Sequence, residues 1–360
     1  MNTQKLLSNY SLAGLELQNK IVMAPMTRSR AIKNIPNELM ATYYGQRNTA
    51  GLIITEGTSP SPNGLGYPRI PGVFSKEQVE GWKLVTQAVH KGGAKIFIQL
   101  MHTGRVSHKE NLPPGAEVVS PSSKIVSGEM YVDGKGALPH TEPKEMTQGD
   151  IQHAIEEYVK ASKNAIEAGF DGIELHGANG YLIEQFLNAN INNRTDGYGG
   201  SIENRCKFAL EIAKSVVVAI GHNKVGIRLS PYGVFNDTGA FAEVEGQYTY
   251  LVKELNKIGI AYIHIVDHSA MGAPEVPESI KSSVRKNFSG TYILSGGYDA
   301  NKAEKDLEDG KGDLVAFGRP FIGNPDLVDR IRKGIEWNMN LDMNTFYTPG
   351  EKGYTDYPFS

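Results

Sequence analysis

The strongest constraint on the fold of this chain is a repeated alternation of short apolar segments with segments of helical periodicity. Eight apolar segments resemble buried parallel strands, and a helical segment follows each of them. The predicted strands are residues 20–24, 51–55, 95–100, 172–175, 225–229, 261–265, 292–294 and 313–317. Eight such units in 360 residues predict the α/β fold class, as a single (β/α)8 TIM barrel domain over residues 1–360.

Two segments fall outside this alternation. Residues 104–146 form a long insertion after the third predicted strand, and Asp133-Gly134 predicts a hairpin within it. We expect this insertion to act as a lid over one rim of the barrel. The aromatic, turn-rich tail after Trp337 is expected to pack back on the body. An open doubly wound sheet is the alternative fold, but no G-x-G-x-x-G motif follows the first strand.

Composition narrows the classes of function. The net charge is -3 and the basic residues are dispersed, so the chain lacks the basic surface of a nucleic-acid-binding protein. No apolar run approaches the ~20 residues of a membrane span, and the first residues show no signal-peptide core. Cys206 is the only cysteine, so neither an intrachain disulfide nor a cysteine metal cluster is expected. We therefore expect a cytoplasmic enzyme without a metal.

Polar and glycine residues collect where the predicted strands end. In a (β/α)8 barrel these ends and the following loops form the working face. The residues concerned are Pro25, Met26, Thr27, Glu56, Gly57, Gln99, His176, Asn179, Tyr181, Arg228, Ser295, Gly296, Gly297, Gly318 and Arg319. Strand starts carry lysines and an aspartate, which are typical of solvated ends. The segregation predicts a functional site on one rim.

The most unusual stretch of this rim follows the fourth strand. His176, Asn179 and Tyr181 lie around two glycines, and all three side chains can donate hydrogen bonds. Two interpretations are open from these residues alone. One is a catalytic loop, and the other is a polar turn with one buried, satisfied histidine.

The loops after the last two strands predict a phosphate site. Glycine allows backbone N–H groups to approach phosphate oxygens, and Arg319 adds a permanently charged donor. Two tight turns with a surface arginine are the alternative. No strand ends in a lysine for a Schiff base, and His102, His264 and His268 are scattered singly, which favours structural roles over metal ligation. A redox cofactor with a phosphate tail is the ligand that fits best.

Several longer motifs identify a family resemblance. They are NKIVMAPMTRSRA at 19–31, IQLMHTGR at 98–105, NNRTDGYGGSIENR at 192–205, GIRLSP at 226–231, VAFGRP at 315–320 and GYTDYP at 353–358. With them the sequence resembles the old yellow enzyme family of FMN-dependent ene-reductases along nearly its whole length. The resemblance implies non-covalent FMN, NADPH or NADH as electron donor, and activated alkenes such as α,β-unsaturated carbonyl compounds, or nitro compounds, as substrates.

The resemblance also implies which residues bind the cofactor. Pro25, Met26 and Thr27 would line one side of the flavin, and Gly57 would offer backbone to the ring. Gln99 and Arg228 would contact its pyrimidine edge. Gly297, Gly318 and Arg319 would hold the phosphate. A subgroup of the family has cysteine at the position of Thr27, so this chain resembles the threonine type.

For the substrate, the resemblance implies that His176 and Asn179 bind the carbonyl or nitro oxygen and that Tyr181 supplies the proton. Tyr67, Met101 and Tyr347 would line the substrate pocket. Some relatives carry histidine in place of Asn179 and many carry tryptophan in place of Met101, which bears on substrate preference. The implied cycle is ping-pong, with hydride transfer from the flavin to Cβ and protonation at Cα. A monomer or homodimer is expected.

Two functions from other classes are weighed against this one. A metal-dependent TIM-barrel hydrolase would keep the fold and use the histidines of the rim as ligands. A non-catalytic barrel that binds a phosphate-bearing ligand would keep the phosphate loops, but it gives no reason for Tyr181. Consumption of NADPH in the presence of an alkene distinguishes the proposed enzyme from both.

Overall fold

The eight apolar segments form one closed parallel barrel in the computed structural model, which describes residues 3–360. Each strand pairs with the next, and the eighth pairs with the first. The strands are β1 (Ile21–Met23), β2 (Leu52–Ile54), β3 (Lys95–Leu100), β4 (Gly172–Gly177), β5 (Val225–Leu229), β6 (Tyr262–Val266), β7 (Thr291–Ser295) and β8 (Leu314–Phe317). The predicted (β/α)8 barrel is confirmed. Nearly all strand residues are buried, because helices cover the outer face and side chains fill the interior.

An outer ring of helices follows the predicted order. The longer ones are Glu38–Gly45, Lys76–His90, Gln148–Glu167, Ile202–Ile220, Val244–Ile258, Glu278–Asn287, Ala300–Glu308 and Leu327–Lys333. Ser75 and Thr147 form the capping boxes that begin two of them; the sequence predicts an N-cap at Ser75 and a capping box at Thr147. Within residues 3–360, no helix combines the length and the apolar character needed to cross a membrane.

Three local features differ from the sequence prediction. The fourth strand does not stop at Leu175 but continues to Gly177, because His176 and Gly177 pair in register with β5. The sixth outer helix begins at Glu278, directly after Pro277, and not at Ser282, where the sequence pattern predicts its start. A hairpin of two three-residue strands, Tyr10–Leu12 and Leu15–Leu17, was not predicted, because such short strands show no periodicity.

The insertion at residues 104–146 lies over the carboxyl ends of the strands. Its predicted hairpin is present as two antiparallel strands, Glu129–Val132 and Gly136–Pro139. Asp133 at the hairpin turn forms an ion pair with Arg69 in the loop after β2. The insertion also contacts the loop after β5, where Ser127 bonds with Asp237. These contacts fix the insertion over the rim that carries the predicted site.

The tail packs back on the barrel, as predicted. Tyr354 is fully buried, and its ring stacks on that of Tyr43 with 4.0 Å between centroids. Arg28, in the loop after β1, donates hydrogen bonds to the carbonyl oxygens of Phe346 and Gly353. Arg28 directly follows the predicted cofactor-lining residues, so the tail and this loop support each other.

Candidate active site

The predicted site residues share the carboxyl-terminal rim of the barrel. Parallel strand order places the strand ends and the loops that follow them around one opening. Register aligns Gln99 of β3 with Glu174 of β4, and aligns His176 with Arg228 of β5. The floor of the opening is therefore lined by polar side chains from three adjacent strands.

Glu174 is the centre of a buried hydrogen-bond network on this floor. Gln99 donates from Nε2 to Oε1 of Glu174 at 2.8 Å, and the Tyr262 hydroxyl donates to Oε2 at 3.1 Å. Nδ1 of His264 lies 2.9 Å from the same Oε2. Glu174 was not among the predicted site residues. A signal was present, because a carboxylate two residues before His176 points to the same face of a strand.

Arg228 lies in register between His176 and His264 and is only 6% exposed. Burial lowers the pKa of its guanidinium, and the charge of Glu174 opposes that shift. Its Nε has no hydrogen-bond partner within residues 3–360, and neither does the buried Nε2 of His264. Buried polar groups without partners cost free energy, so the Arg228 Nε–H indicates where an acceptor atom of a ligand would bind. The neutral His264 carries its proton on Nδ1 toward Glu174, so its Nε2 would accept from a donor.

His176 is positioned as a neutral hydrogen-bond donor. It is 3% exposed, and the N–H of Ala178 donates to its Nδ1 at 3.3 Å. Nε2 therefore carries the proton in the neutral ring. Burial lowers the pKa of His176 well below its usual value, and the positive charge of Arg228 acts in the same direction. The ring stays neutral at physiological pH.

Asn179 is held in a left-handed backbone conformation, with φ of 59°. Its N–H donates to Oγ of Ser230 at 2.9 Å, and its carbonyl oxygen accepts from Nδ2 of Asn236 at 2.7 Å. Both partners belong to the loop after β5. The left-handed region is strained for most residues other than glycine. These two contacts therefore hold the Asn179 backbone in this conformation and fix the direction of its side chain.

Glu184 holds the segment that contains Asn179 through hydrogen bonds to Gly180 and Ser230. Its Oε2 accepts a hydrogen bond from the N–H of Gly180 at 2.6 Å, and the Ser230 hydroxyl donates to its Oε1 at 2.9 Å. Ser230 therefore links this carboxyl group to the N–H of Asn179. Glu184 is buried, and burial raises its pKa to about 7.

The pH dependence of stability should report the state of Glu184. Its pKa lies above the ordinary 4.5, so the folded state holds the proton more tightly. This contribution is complete below pH 4.5 and is lost as the pH rises through 7. We expect Glu184→Gln to remove about 3 kcal/mol of the loss across that window. The free energy of unfolding in urea, measured for the wild type and for Glu184→Gln below pH 4.5 and above pH 7, checks this. Glu56, whose pKa is also raised to about 7, is present in both proteins and contributes the same pH dependence to each. An equal dependence of unfolding free energy on pH in the wild type and in Glu184→Gln would contradict the expectation.

Tyr181 is paired with Tyr67. The two hydroxyl oxygens lie 3.0 Å apart, and the Tyr181 ring packs edge-on against His176 with 4.9 Å between centroids. Burial raises the pKa of Tyr181 well above its ordinary value, and the Tyr67 phenol adds to the shift. The phenol of Tyr181 is therefore fully protonated at neutral pH.

The apolar side of the opening is formed around Met101. Met101 is 2% exposed and packs with Leu65 and Ile70, against which Tyr67 and Tyr181 also pack. A side chain at Gly57 would collide with the Met101 sulfur, so any larger residue there would require the Met101 side chain to move. Tyr347, in contrast, is 60% exposed at the edge of the site and is held through its backbone oxygen by Arg69.

The glycine loops predicted to hold a phosphate follow β7 and β8. Gly296 and Gly297 have φ of 137° and 62°, a region that favours glycine. A Cβ on Gly297 would lie 2.7 Å from the Ala270 side chain. Gly318 precedes the short helix Arg319–Gly323, and Arg319 is exposed at its first position. The backbone N–H groups and the arginine thus lie at the same part of the rim.

The three histidines considered above as metal ligands have separate partners. His264 contacts Glu174, while Nε2 of His268 lies 2.8 Å from Oδ1 of Asn179. His102 accepts a hydrogen bond from a backbone N–H. Among residues 3–360, no group of three or more His, Cys, Asp or Glu side chains is arranged to hold a metal ion. His268 contacts the predicted site residue Asn179, and His264 lies in register with the predicted site residue Arg228; their sequence context did not indicate either position.

Comparison with known proteins supports a single family. Residues 9–338 match the NADH:flavin oxidoreductase / NADH oxidase family. The chain is similar to 12-oxophytodienoate reductase 1 of Oryza sativa subsp. japonica, with 42% identity over 360 residues, covering 98% of this chain and 93% of the relative. It is also similar to 12-oxophytodienoate reductase 7 of the same organism, with 41% identity over 375 residues, 98% of this chain and 94% of that protein.

Solved structures give the same result. Morphinone reductase superposes with a TM-score of 0.95 and 41% identity, covering 100% of this chain and 98% of the other. Morphinone reductase in complex with tetrahydroNAD superposes with a TM-score of 0.93 and 42% identity, covering 99% and 97% of the two chains. At this level of identity, coverage and TM-score, the chain shares its fold with both structures.

Proposed function

The chain belongs to the NADH:flavin oxidoreductase / NADH oxidase family, and we propose that the rim residues described above form its FMN and substrate sites. It is an FMN-dependent enzyme of the old yellow enzyme type that uses NAD(P)H to reduce the C=C bond of activated alkenes. The observation that carries the site assignment is the buried Nε of Arg228, which has no partner within residues 3–360. Metal-dependent hydrolysis and non-catalytic phosphate binding are not favoured.

The residues present on the rim fit FMN. Arg228 supplies a buried guanidinium whose Nε has no hydrogen-bond partner within residues 3–360, which suits the acceptor-rich pyrimidine edge of a flavin. Nε2 of Gln99 is occupied by Glu174, so its side-chain oxygen is left to accept from a ring N–H. A Cβ on Gly318 would meet nothing nearer than 3.7 Å, which leaves room beside Met26. We assign Pro25, Met26, Thr27 and Gly57 to the flavin ring.

We assign the phosphate to Gly297, Gly318 and Arg319. The loop after β7 requires glycine for its backbone conformation, and both glycine loops can direct N–H groups at an anion. Arg319 is exposed, so its contribution is a screened, solvent-facing charge rather than a buried one.

Bound FMN would carry an electron pair from NAD(P)H to the alkene. The substrate oxygen accepts hydrogen bonds from His176 Nε2 and from the Asn179 amide. Both donors are held in place before the reaction, because the Ala178 N–H fixes the His176 ring and Ser230 fixes the Asn179 backbone. Fixed donors stabilise the charge that develops on this oxygen without reorganisation.

Tyr181 supplies the proton to the carbon next to the activating group. Its phenol is protonated at neutral pH, since burial raises its pKa. The Tyr67 hydroxyl lies 3.0 Å from the Tyr181 hydroxyl, and this contact adds to the raised pKa that keeps the proton on Tyr181 until the transfer.

Tyr67, Met101 and Tyr347 line the substrate pocket, and the insertion at residues 104–146 acts as its lid. The contacts of the insertion with the loops after β2 and β5 support this role. Tyr347 is the most exposed of the three, which is consistent with a position at the entrance. A cytoplasmic location, a monomer or homodimer, and action without nucleic acid or membrane partners stay predictions of the sequence.

One experiment tests the cofactor and the reaction together. The purified protein should be yellow, should release FMN on denaturation, and should oxidise NADPH or NADH only when an acceptor such as cyclohexenone or oxygen is present. With cyclohexenone as the acceptor, gas chromatography should detect cyclohexanone as the product. Release of FAD, a covalently held flavin, or a colourless protein that ignores added FMN would refute the assignment.

A further inference from the structure

His268 lies in the loop after β6 and contacts Asn179 rather than the open part of the site. Its Nε2 is 2.8 Å from Oδ1 of Asn179. We propose that His268 is a positioning residue, which holds the Asn179 amide with Nδ2 available to the substrate oxygen. This inference rests on the proposed function, in which Asn179 binds that oxygen.

An asparagine at this position needs such a partner. Its amide has a donor end and an acceptor end of nearly equal shape, so sterics alone do not choose between two orientations. Ser230 and Asn236 hold only the backbone of Asn179. With the amide reversed, Oδ1 would face the substrate oxygen, and two acceptors would repel each other. A donor held at Oδ1 removes that orientation.

His268 has the chemistry of that donor. Burial and the nearby charge of Arg228 lower the pKa of His268 to about 4, so the ring is neutral at pH 7 and carries one N–H. The Phe235 ring packs edge-on against it, with 4.7 Å between centroids and an interplanar angle of 76°. The neighbouring Asp267 accepts from the N–H of Ser269 and pairs with Lys281, so its carboxylate has other partners.

The role of His268 is thus to select one of the two orientations of the Asn179 amide, the one in which Nδ2 donates to the substrate oxygen. His176 achieves the same result through a backbone N–H at Nδ1, and Asn179 achieves it through a side chain from the neighbouring loop. Both donors of the proposed oxygen site are consequently fixed by a second group that does not touch the substrate.

A double-mutant cycle tests the inference on the FMN-loaded enzyme. His268→Leu removes the donor, and His268→Gln offers an amide N–H in its place. We expect His268→Leu to weaken binding of cyclohexenone and of p-hydroxybenzaldehyde about threefold to tenfold, the range of one neutral hydrogen bond. His268→Gln should restore part of that loss. FMN content and thermal stability are measured for each variant.

The decisive arm is the Asn179→Ala background. There His268→Leu should have no further effect on ligand binding, because the group it positions is gone. An equal effect in both backgrounds, or none in the wild-type background, would overturn the role of His268. If Asn179→Ala alone leaves ligand binding unchanged, the assignment of Asn179 to the substrate oxygen is what fails. If His268→Leu does not fold, the same comparison is made with His268→Phe, which also removes the donor and keeps a ring against Phe235.

Discussion

Replacing Tyr181 with phenylalanine should slow reoxidation of the reduced enzyme by an enone about 10²- to 10⁴-fold, the usual contribution of a positioned general acid. Reduction of the enzyme by NAD(P)H should stay near the wild-type rate. The substitution removes one hydroxyl and preserves the ring that packs edge-on against His176 and Tyr67. Shape and cofactor contacts are therefore unchanged.

Stopped-flow measurement of the two half-reactions separates the interpretations. Quinones, which need no proton on carbon, should be much less affected than cyclohexenone. Tyr67→Phe is the matched control, because it removes the other hydroxyl of the same 3.0 Å pair. We expect it to slow enone reoxidation less than Tyr181→Phe does. Equal slowing of both half-reactions by Tyr181→Phe would leave Tyr181 as a packing residue.

Replacing Arg228 with methionine should weaken FMN binding about 10- to 150-fold, the range for a hydrogen bond to a charged group. The apoprotein should lose little stability, because the cost of burying the guanidinium, whose Nε has no hydrogen-bond partner within residues 3–360, offsets its attraction to Glu174. Weaker FMN binding without a large loss of stability is a sharper test than lost activity. Equilibrium titration with FMN and urea unfolding of the apoprotein measure the two quantities.

Arg319→Ala provides the contrast. Because Arg319 is exposed, we expect a smaller loss of FMN affinity, below about tenfold, that shrinks further in high salt. The loss in Arg228→Met should be nearly independent of salt, since that guanidinium is buried. A destabilised apoprotein with unchanged FMN affinity in Arg228→Met would show that Arg228 is structural.

Sequence periodicity was sufficient to predict the barrel. Parallel strands covered on both faces are apolar on both faces, so segments such as Lys95–Leu100 are recognisable without knowledge of their partners. The starts of two helices were predictable from local sequence, because the Ser75 and Thr147 side chains accept hydrogen bonds from N–H groups three residues later. The hairpin at Asp133-Gly134 followed from its turn residues.

The rim position of the site residues was also predictable, because strand direction alone places every strand end on one side. The partners of these residues were not. Glu174 and His264 are separated by 90 residues, and Asn179 and His268 by 89. No local pattern links such positions, and a single histidine beside an apolar strand is most simply interpreted as structural.

The sequence by itself thus determined the barrel, the rim and the family, and it predicted which residues face the cofactor and substrate. Only the tertiary structure decided the protonation and orientation of those residues. Burial keeps His176 neutral, raises the pKa of Tyr181 and leaves Arg228 Nε without a partner. The physical reason is that desolvation and hydrogen-bond geometry depend on groups brought together by strand closure, and their separation along the chain carries no record of that proximity.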